Sequence, residues 1–439
     1  MPTSALAALL FCSGLSALVY ETLWVRQMTL VVGVDVYAVT TVVSAFFAGL
    51  AAGSAVLGTR AGRSVRPLAF YAGLEAGCAV LGAAVTLALA GLAPLYVRAV
   101  DALGPGAWVL PFALVAAPAF VMGGTLPAAV RASAPAAGRV ATRAGRLYAA
   151  NTAGGVAGTL LAAFVLVPAL GVRGSGLAAA ALNGLVGAVA LALARPVAPS
   201  PPHPAASAAP RLALGLYALA GAVALGLEVV WTQAAVPFVG TRAAAFALVL
   251  ATYLVGLVGG SALFARAADR GRRPWRTFGL VEFGVGATAL AAFAALGPWL
   301  PAAQRALFAA VTARTGSPPV ALAAHMLLVP VALLLVPALF LGAAMPAAAR
   351  LACAPERIAR DLGWVTAANT VGGIAGTCLT GFVAVPLLGL RGALVGLAVA
   401  AGLVGAVALV AGARRRGRAA LAAGLAVAAL AAGGARVPR

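Results

Sequence analysis

Lysine is absent from this 439-residue sequence, aspartate and glutamate together number nine, and only two histidines occur. A phosphate-cradling loop therefore has no lysine to complete it. No nucleophile–base pair and no metal ligand set can be assembled from what remains. The four cysteines, Cys12, Cys78, Cys353 and Cys378, show no metal-type spacing. Each lies in or beside an apolar run, where a thiol serves as a small apolar group. Charged residues make up 9% of the chain, against about a quarter in a soluble domain. Water is not the solvent for most of this surface.

What is abundant is apolar: 63% of positions. Runs of about 20 residues, enough to cross a bilayer core, recur along the whole chain. Arg, Pro and Gly punctuation places spans near 4–27, 36–59, 68–93, 107–130, 145–168 and 174–194. A second set falls near 211–236, 243–265, 275–297, 319–345, 362–385 and 391–411. The fold expected is an all-α polytopic membrane protein of two parallel six-helix repeats. Residues 1–195 form the first repeat, 196–210 a Pro-rich linker, 211–412 the second repeat, and 413–439 a basic segment with a marginal thirteenth span at 419–434. No basic leader with a cleavage site opens the chain, so the first apolar run is expected to stay as a helix.

The halves repeat each other. Gly14, Glu21, Trp24, Gly33, Gly49, Gly53, Ser54, Pro67, Glu75 and Gly77 reappear 207 positions later as Gly221, Glu228, Trp231, Gly240, Gly256, Gly260, Ser261, Pro274, Glu282 and Gly284. At a larger offset, the segment Pro118 to Pro127 matches Pro337 to Pro346, and Asn151-Thr-Ala-Gly-Gly-Val-Ala-Gly158 matches Asn369-Thr-Val-Gly-Gly-Ile-Ala-Gly376. Pro168, Gly171, Arg173 and Gly174 then match Pro386, Gly389, Arg391 and Gly392. Such self-similarity marks a duplicated unit. An even number of spans per unit gives both units one orientation, the arrangement of the two halves of major-facilitator transporters, with a central cavity expected between them.

All 30 basic residues are arginines, and they give a net charge of +21. They cluster in short loops, as at Arg60/Arg63/Arg66, Arg266/Arg270/Arg272/Arg273 and Arg414/Arg415/Arg416/Arg418, mostly after even-numbered spans. That pattern sets topology rather than binding nucleic acid, and it puts the N-terminus and the even loops in the cytoplasm.

Four of the five glutamates, Glu21, Glu75, Glu228 and Glu282, lie inside apolar spans at matched positions. An ionised carboxylate near mid-helix costs on the order of 3 kcal/mol on insertion scales, so each needs compensation. Two accounts are open. The four line a cavity as charge or proton sites for a cation, or each pairs within the bundle and locks it. Glu21 and Glu75 sit at different depths on helices of the same direction, a ladder rather than a dyad. Trp24 and Trp231 share a helical stripe with Glu21 and Glu228, a face suited to an ammonium group by charge and cation–π attraction. A place in the aromatic belt at the bilayer surface accounts for both tryptophans as well. Asn151, Gly154, Gly158 and their repeats Asn369, Gly372 and Gly376 have the small-residue spacing of close helix packing. Pro127 and Pro346 are expected to end or kink helices. His325, without a repeat counterpart, reads as a satisfied polar group.

Several ordered motifs together resemble a known family. They are Gly14-x-x-Ala17-Leu-x-Tyr20-Glu21-x-x-Trp24-x-Arg26, Gly49-Leu-Ala-x-Gly53-Ser54, Gly145-Arg-Leu-Tyr148-Ala-Ala-Asn151-Thr152 and Pro168-x-Leu-Gly171-x-Arg-Gly174. The family is the membrane region of bacterial fused transporter/spermidine synthase-like proteins. Its members typically join such a region to a C-terminal polyamine-synthase-like domain that uses decarboxylated S-adenosylmethionine. No strand–helix alternation follows the last apolar run here, so that domain and its aminopropyl transfer are not expected of this chain. The resemblance implies a bacterial inner-membrane module without a cofactor, handling a small cationic solute such as a polyamine. The alternative is a membrane scaffold that docks a separately encoded synthase through its Arg-rich loops.

Overall fold

The structure, a computed structural model, describes residues 3–32, 35–133, 139–197, 211–239, 242–296, 299–354, 357–413 and 416–434. Apart from Pro196 and Val197, the Pro-rich linker lies outside them. No strand occurs among the described residues. The chain divides into two compact units: Met1–Leu214 with Ala352–Val371, and Gly215–Leu351 with Gly372–Arg439.

The first unit contains α1 (Thr3–Val32), α2 (Asp35–Arg63), α3 (Pro67–Leu89), α4 (Ala93–Leu103), α5 (Val109–Gly123), α6 (Thr125–Ala132), α7 (Val140–Leu161) and α8 (Val167–Ala192). The second runs from α9 (Arg211–Val239) through α10 (Arg242–Arg270), α11 (Pro274–Ala294), α12 (Trp299–Thr315) and α13 (Pro318–Ala352). It ends with α15 (Val385–Ala411) and α16 (Arg416–Gly434). The intervening α14 (Ile358–Leu379) straddles the division, its first residues belonging with the first unit. Eleven stretches among the described residues are long and apolar enough to cross a membrane, with α14 and α15 joined in one. The last of them is α16, Gly417–Gly434.

Within each unit the helices meet on small residues. A Cβ on Gly154 would lie 1.9 Å from the carbonyl oxygen of Phe11, and one on Gly158 2.2 Å from that of Leu15. In return, one on Gly14 would lie 2.0 Å from the Asn151 carbonyl oxygen. The second unit repeats this register: Gly372 against Ala218 at 1.8 Å and Gly376 against Ala222 at 2.1 Å. Backbones this close gain dispersion along the whole seam, which is what small residues supply where no hydrophobic effect drives helices together. A second seam joins α2 to α5, where Gly53 faces the Phe120 carbonyl, and its counterpart joins α10 to α13, where Gly260 faces that of Leu339.

Two features go beyond the spans placed from the sequence. The short helices α4 and α12 occupy corresponding places between the third and fourth spans of each repeat. Neither proline ends a helix: Pro127 sits in the first turn of α6, and α13 runs through Pro330, Pro337 and Pro346 to Ala352. The break before Pro127 falls at Gly124, between α5 and α6.

Both repeats also bend at one place. A π-helical turn, Ala162–Leu166 in the first and Thr380–Ala384 in the second, precedes Gly171 and Gly389, each with φ 68. Only glycine adopts that backbone without strain. In the second unit, Arg391, two residues past the bend, donates to the Gly434 carbonyl at 3.2 Å and so ties the end of α16 to α15.

Candidate functional site: a buried carboxylate and its repeat counterpart

The antiparallel seam between α3 and α8 holds the buried carboxylate of Glu75. Gly187 lets α8 approach the Ala72 carbonyl and the Glu75 Cβ, while Gly176 receives the Thr86 side chain further along. Between them Asn183 donates from Nδ2 to Glu75 Oε2 at 2.6 Å, with both residues buried. Ser13 of α1 and Tyr71, one turn back on α3, also address the Glu75 carboxylate. Cys12, Tyr20 and Cys78 lie close enough to feel its charge. No guanidinium or imidazole is among the groups acting on it. Around this carboxylate, Glu75 Oε1, Asn183 Oδ1 and the hydroxyls of Tyr71 and Tyr20 are buried without a hydrogen-bond partner.

Trp24 belongs to the same polar core. Its ring stacks on Tyr20, with centroids 5.1 Å apart, and its Nε1 donates to Thr86 Oγ1 at 3.1 Å. Gln27 donates to the Thr86 carbonyl at 2.8 Å, and Gly82 leaves room for the Tyr20 ring. Trp24 and Trp231 are both fully buried, so neither stands in an aromatic belt. One ring face of Trp24 is taken by protein rather than open to an ammonium group.

The second unit holds the same carboxylate in different company. Glu282 is fully buried, and both its oxygens lack a partner. It faces α15 between the contacts of Gly279 with Gly405 and of Gly286 with Ala398. At the positions corresponding to Ser13, Tyr71 and Asn183 stand Ala220, Phe278 and Ala401. Tyr20, Gln27, Cys78 and Thr86 likewise become Leu227, Ala234, Val285 and Phe293. The Trp231 indole N–H consequently has no partner, where that of Trp24 has Thr86.

Glu21 and Glu228 are half-buried, in contrast to the sealed Glu75 and Glu282. Glu75 is not among the groups acting on Glu21. The structure thus brings Glu75 together with Asn183, Tyr71 and Ser13, which the sequence reading did not single out, and not with Glu21. Comparing the repeats for polar residues present in one half alone would have found all three. Asn151 and Asn369 are half-buried beside the glycine seams. His325 Nδ1 lies 3.1 Å from the Gln304 carbonyl, and Gln304 Nε2 donates to the His325 carbonyl at 3.0 Å. No cluster of three or more His, Cys, Asp or Glu suited to a metal occurs among the described residues.

No protein-family model and no curated protein matches the chain. Among solved structures it is similar to the human organic anion transporter MFSD10 (TETRAN), with a TM-score of 0.58 and 14% identity over 93% of this chain and 100% of that one. It is also similar to FucP, a Major Facilitator Superfamily transporter captured in the outward conformation, with a TM-score of 0.57 and 15% identity over 93% of this chain and 98% of that one. The fold is that of the major facilitators. Each facilitator-like repeat here keeps the glutamate on its third span, but only the first surrounds it with polar groups. At such identities the likeness is one of fold and carries no substrate with it.

Proposed function

We propose that this protein is a bacterial inner-membrane transporter for a small cationic solute of the polyamine class, with its N-terminus in the cytoplasm. The observation that carries this reading is the placement of Glu21 and Glu228. They stand at matched positions on α1 and α9, inside apolar helices, and are half-buried rather than sealed. A carboxylate kept in a membrane helix at a cost of about 3 kcal/mol is a functional site by default. Two of them, one per repeat, supply negative charge for an ammonium group that enters from water. The facilitator fold and the family resemblance both favour a solute path over catalysis.

The test is uptake of labelled spermidine by purified protein in liposomes, paired with binding and melting measurements on Glu21→Gln and Glu228→Gln. Gln keeps the shape and much of the hydrogen bonding but cannot hold a cation by charge. Binding should fall at least about tenfold, the loss of one charge-assisted contact, with the melting temperature kept. Stable variants with unchanged binding would defeat the reading. Variants that fail to fold, together with a wild type that moves no polyamine, would favour a scaffold that docks a soluble synthase.

A further inference from the structure

Glu75 poses a charge problem that its neighbours leave open. It is fully buried in a bundle whose helices are long and apolar enough to cross a membrane. Among the described residues, every group that acts on it is neutral or, like Cys78 and the tyrosines, can only add negative charge on ionisation. Asn183 Nδ2 holds one carboxylate oxygen and leaves its own Oδ1 without a donor, as Oε1 of Glu75 is without one at hydrogen-bond distance. The cluster therefore presents unpaired oxygen atoms of a carboxylate and an amide, with the Tyr71 and Ser13 hydroxyls directed at the same carboxylate and, among the described residues, no cationic side chain acting on it. Oxygen donors of this hardness suit hard cations. One carboxylate balances one positive charge, whereas a divalent ion would leave net charge buried.

From this geometry we infer that Glu75, Asn183, Tyr71 and Ser13 form a binding site for an alkali-metal cation in the first repeat, with no equivalent in the second. The second repeat is the built-in control. The same glutamate is kept at 282, but Ala220, Phe278 and Ala401 replace the three supporting residues, so the oxygen donors those residues supply are lost there. The site deepens the transport reading by naming a bound inorganic cation. Its occupancy is measured without any transport step, so either idea can fail alone.

The measurement is the melting temperature of the purified full chain at fixed pH and ionic strength, in sodium chloride against choline chloride. If the site exists, sodium at about 100-fold its dissociation constant raises the midpoint saturably by a few degrees over choline. Glu75→Gln and Asn183→Ala lose that rise, and Glu282→Gln keeps it. Retention of radioactive sodium by the wild type, displaced by excess unlabelled sodium, gives a second readout should either first-repeat variant fail to fold. Equal midpoints in the two salts, a rise that persists in Glu75→Gln, or no saturable sodium retention by the wild type would overturn the site. Stabilisation by acid alone, without a sodium response, would show a proton in its place and overturn it too. The groups that face Glu75 in such a titration are Cys12, Tyr20, Tyr71 and Cys78.

Discussion

Glu75 and Glu282 are the same residue at the same place in the repeat, yet substitution should affect them oppositely. Replacing Glu75 by Leu leaves Asn183 buried without the carboxylate it donates to. A lost buried partner of this kind costs about 1–3 kcal/mol. Glu282 has no partner to orphan. Exchanging it for an apolar residue of similar size removes a desolvation penalty and breaks nothing, a change that is neutral or stabilising. Thermal melts should show Glu75→Leu lowered and Glu282→Leu unchanged or raised. A larger loss for Glu282→Leu would mean that the second carboxyl has a structural role that its surroundings do not reveal. Local sequence made both residues conspicuous as acids in apolar runs. It could not separate them, because the group that distinguishes Glu75 lies 108 positions away on α8.

At the scale of the helix, packing rests on a few glycines, and their roles are not interchangeable. Gly154 and Gly376 lie against carbonyl oxygens, where an added Cβ would sit at 1.9 and 2.1 Å. Gly184 on α8 has nothing within 4 Å of such an atom. Gly154→Ala and Gly376→Ala should each force the seam apart at a cost of about 1–3 kcal/mol, the usual penalty of overpacking. Gly184→Ala should show little or no loss. Melting temperatures of the three variants check this, and a destabilised Gly184→Ala beside a tolerant Gly154→Ala would invert the argument. The glycine spacing itself was readable as a packing signal. Which helix each glycine would meet was not, since Asn151–Gly158 finds its partner in α1, over a hundred residues earlier in the chain. The helices α4 and α12 also escaped notice, being short stretches set between longer apolar runs. Tyr96 of α4 packs edge-on against Trp108, and Gln304 of α12 bridges to His325 on α13. These contacts become visible only once the flanking spans are in place.

For the whole molecule, orientation follows from where the arginines fall. Cysteines introduced beside Arg63, Arg143, Arg272 and Arg357 should react with membrane-impermeant reagents from the cytoplasmic side, because short basic loops resist translocation. Labelling of those four sites from the opposite face would reverse the orientation proposed for the chain.

The sequence alone determined that this is a membrane bundle, where its spans lie, and that it is built twice from one unit. Hydropathy is a local property, and the spans proposed from it fall on the helices of both repeats, including the last one at Arg416–Gly434. Internal repetition is equally a matter of comparing the chain with itself. Only the tertiary structure decided how each repeated acid is housed: Glu21 and Glu228 half-buried, Glu282 sealed without a hydrogen-bond partner, and Glu75 sealed beside polar groups. The reason is physical. Burial cost and its compensation depend on what surrounds a group in space, and around Glu75 that shell comes from α1, α3 and α8, which the fold alone brings together.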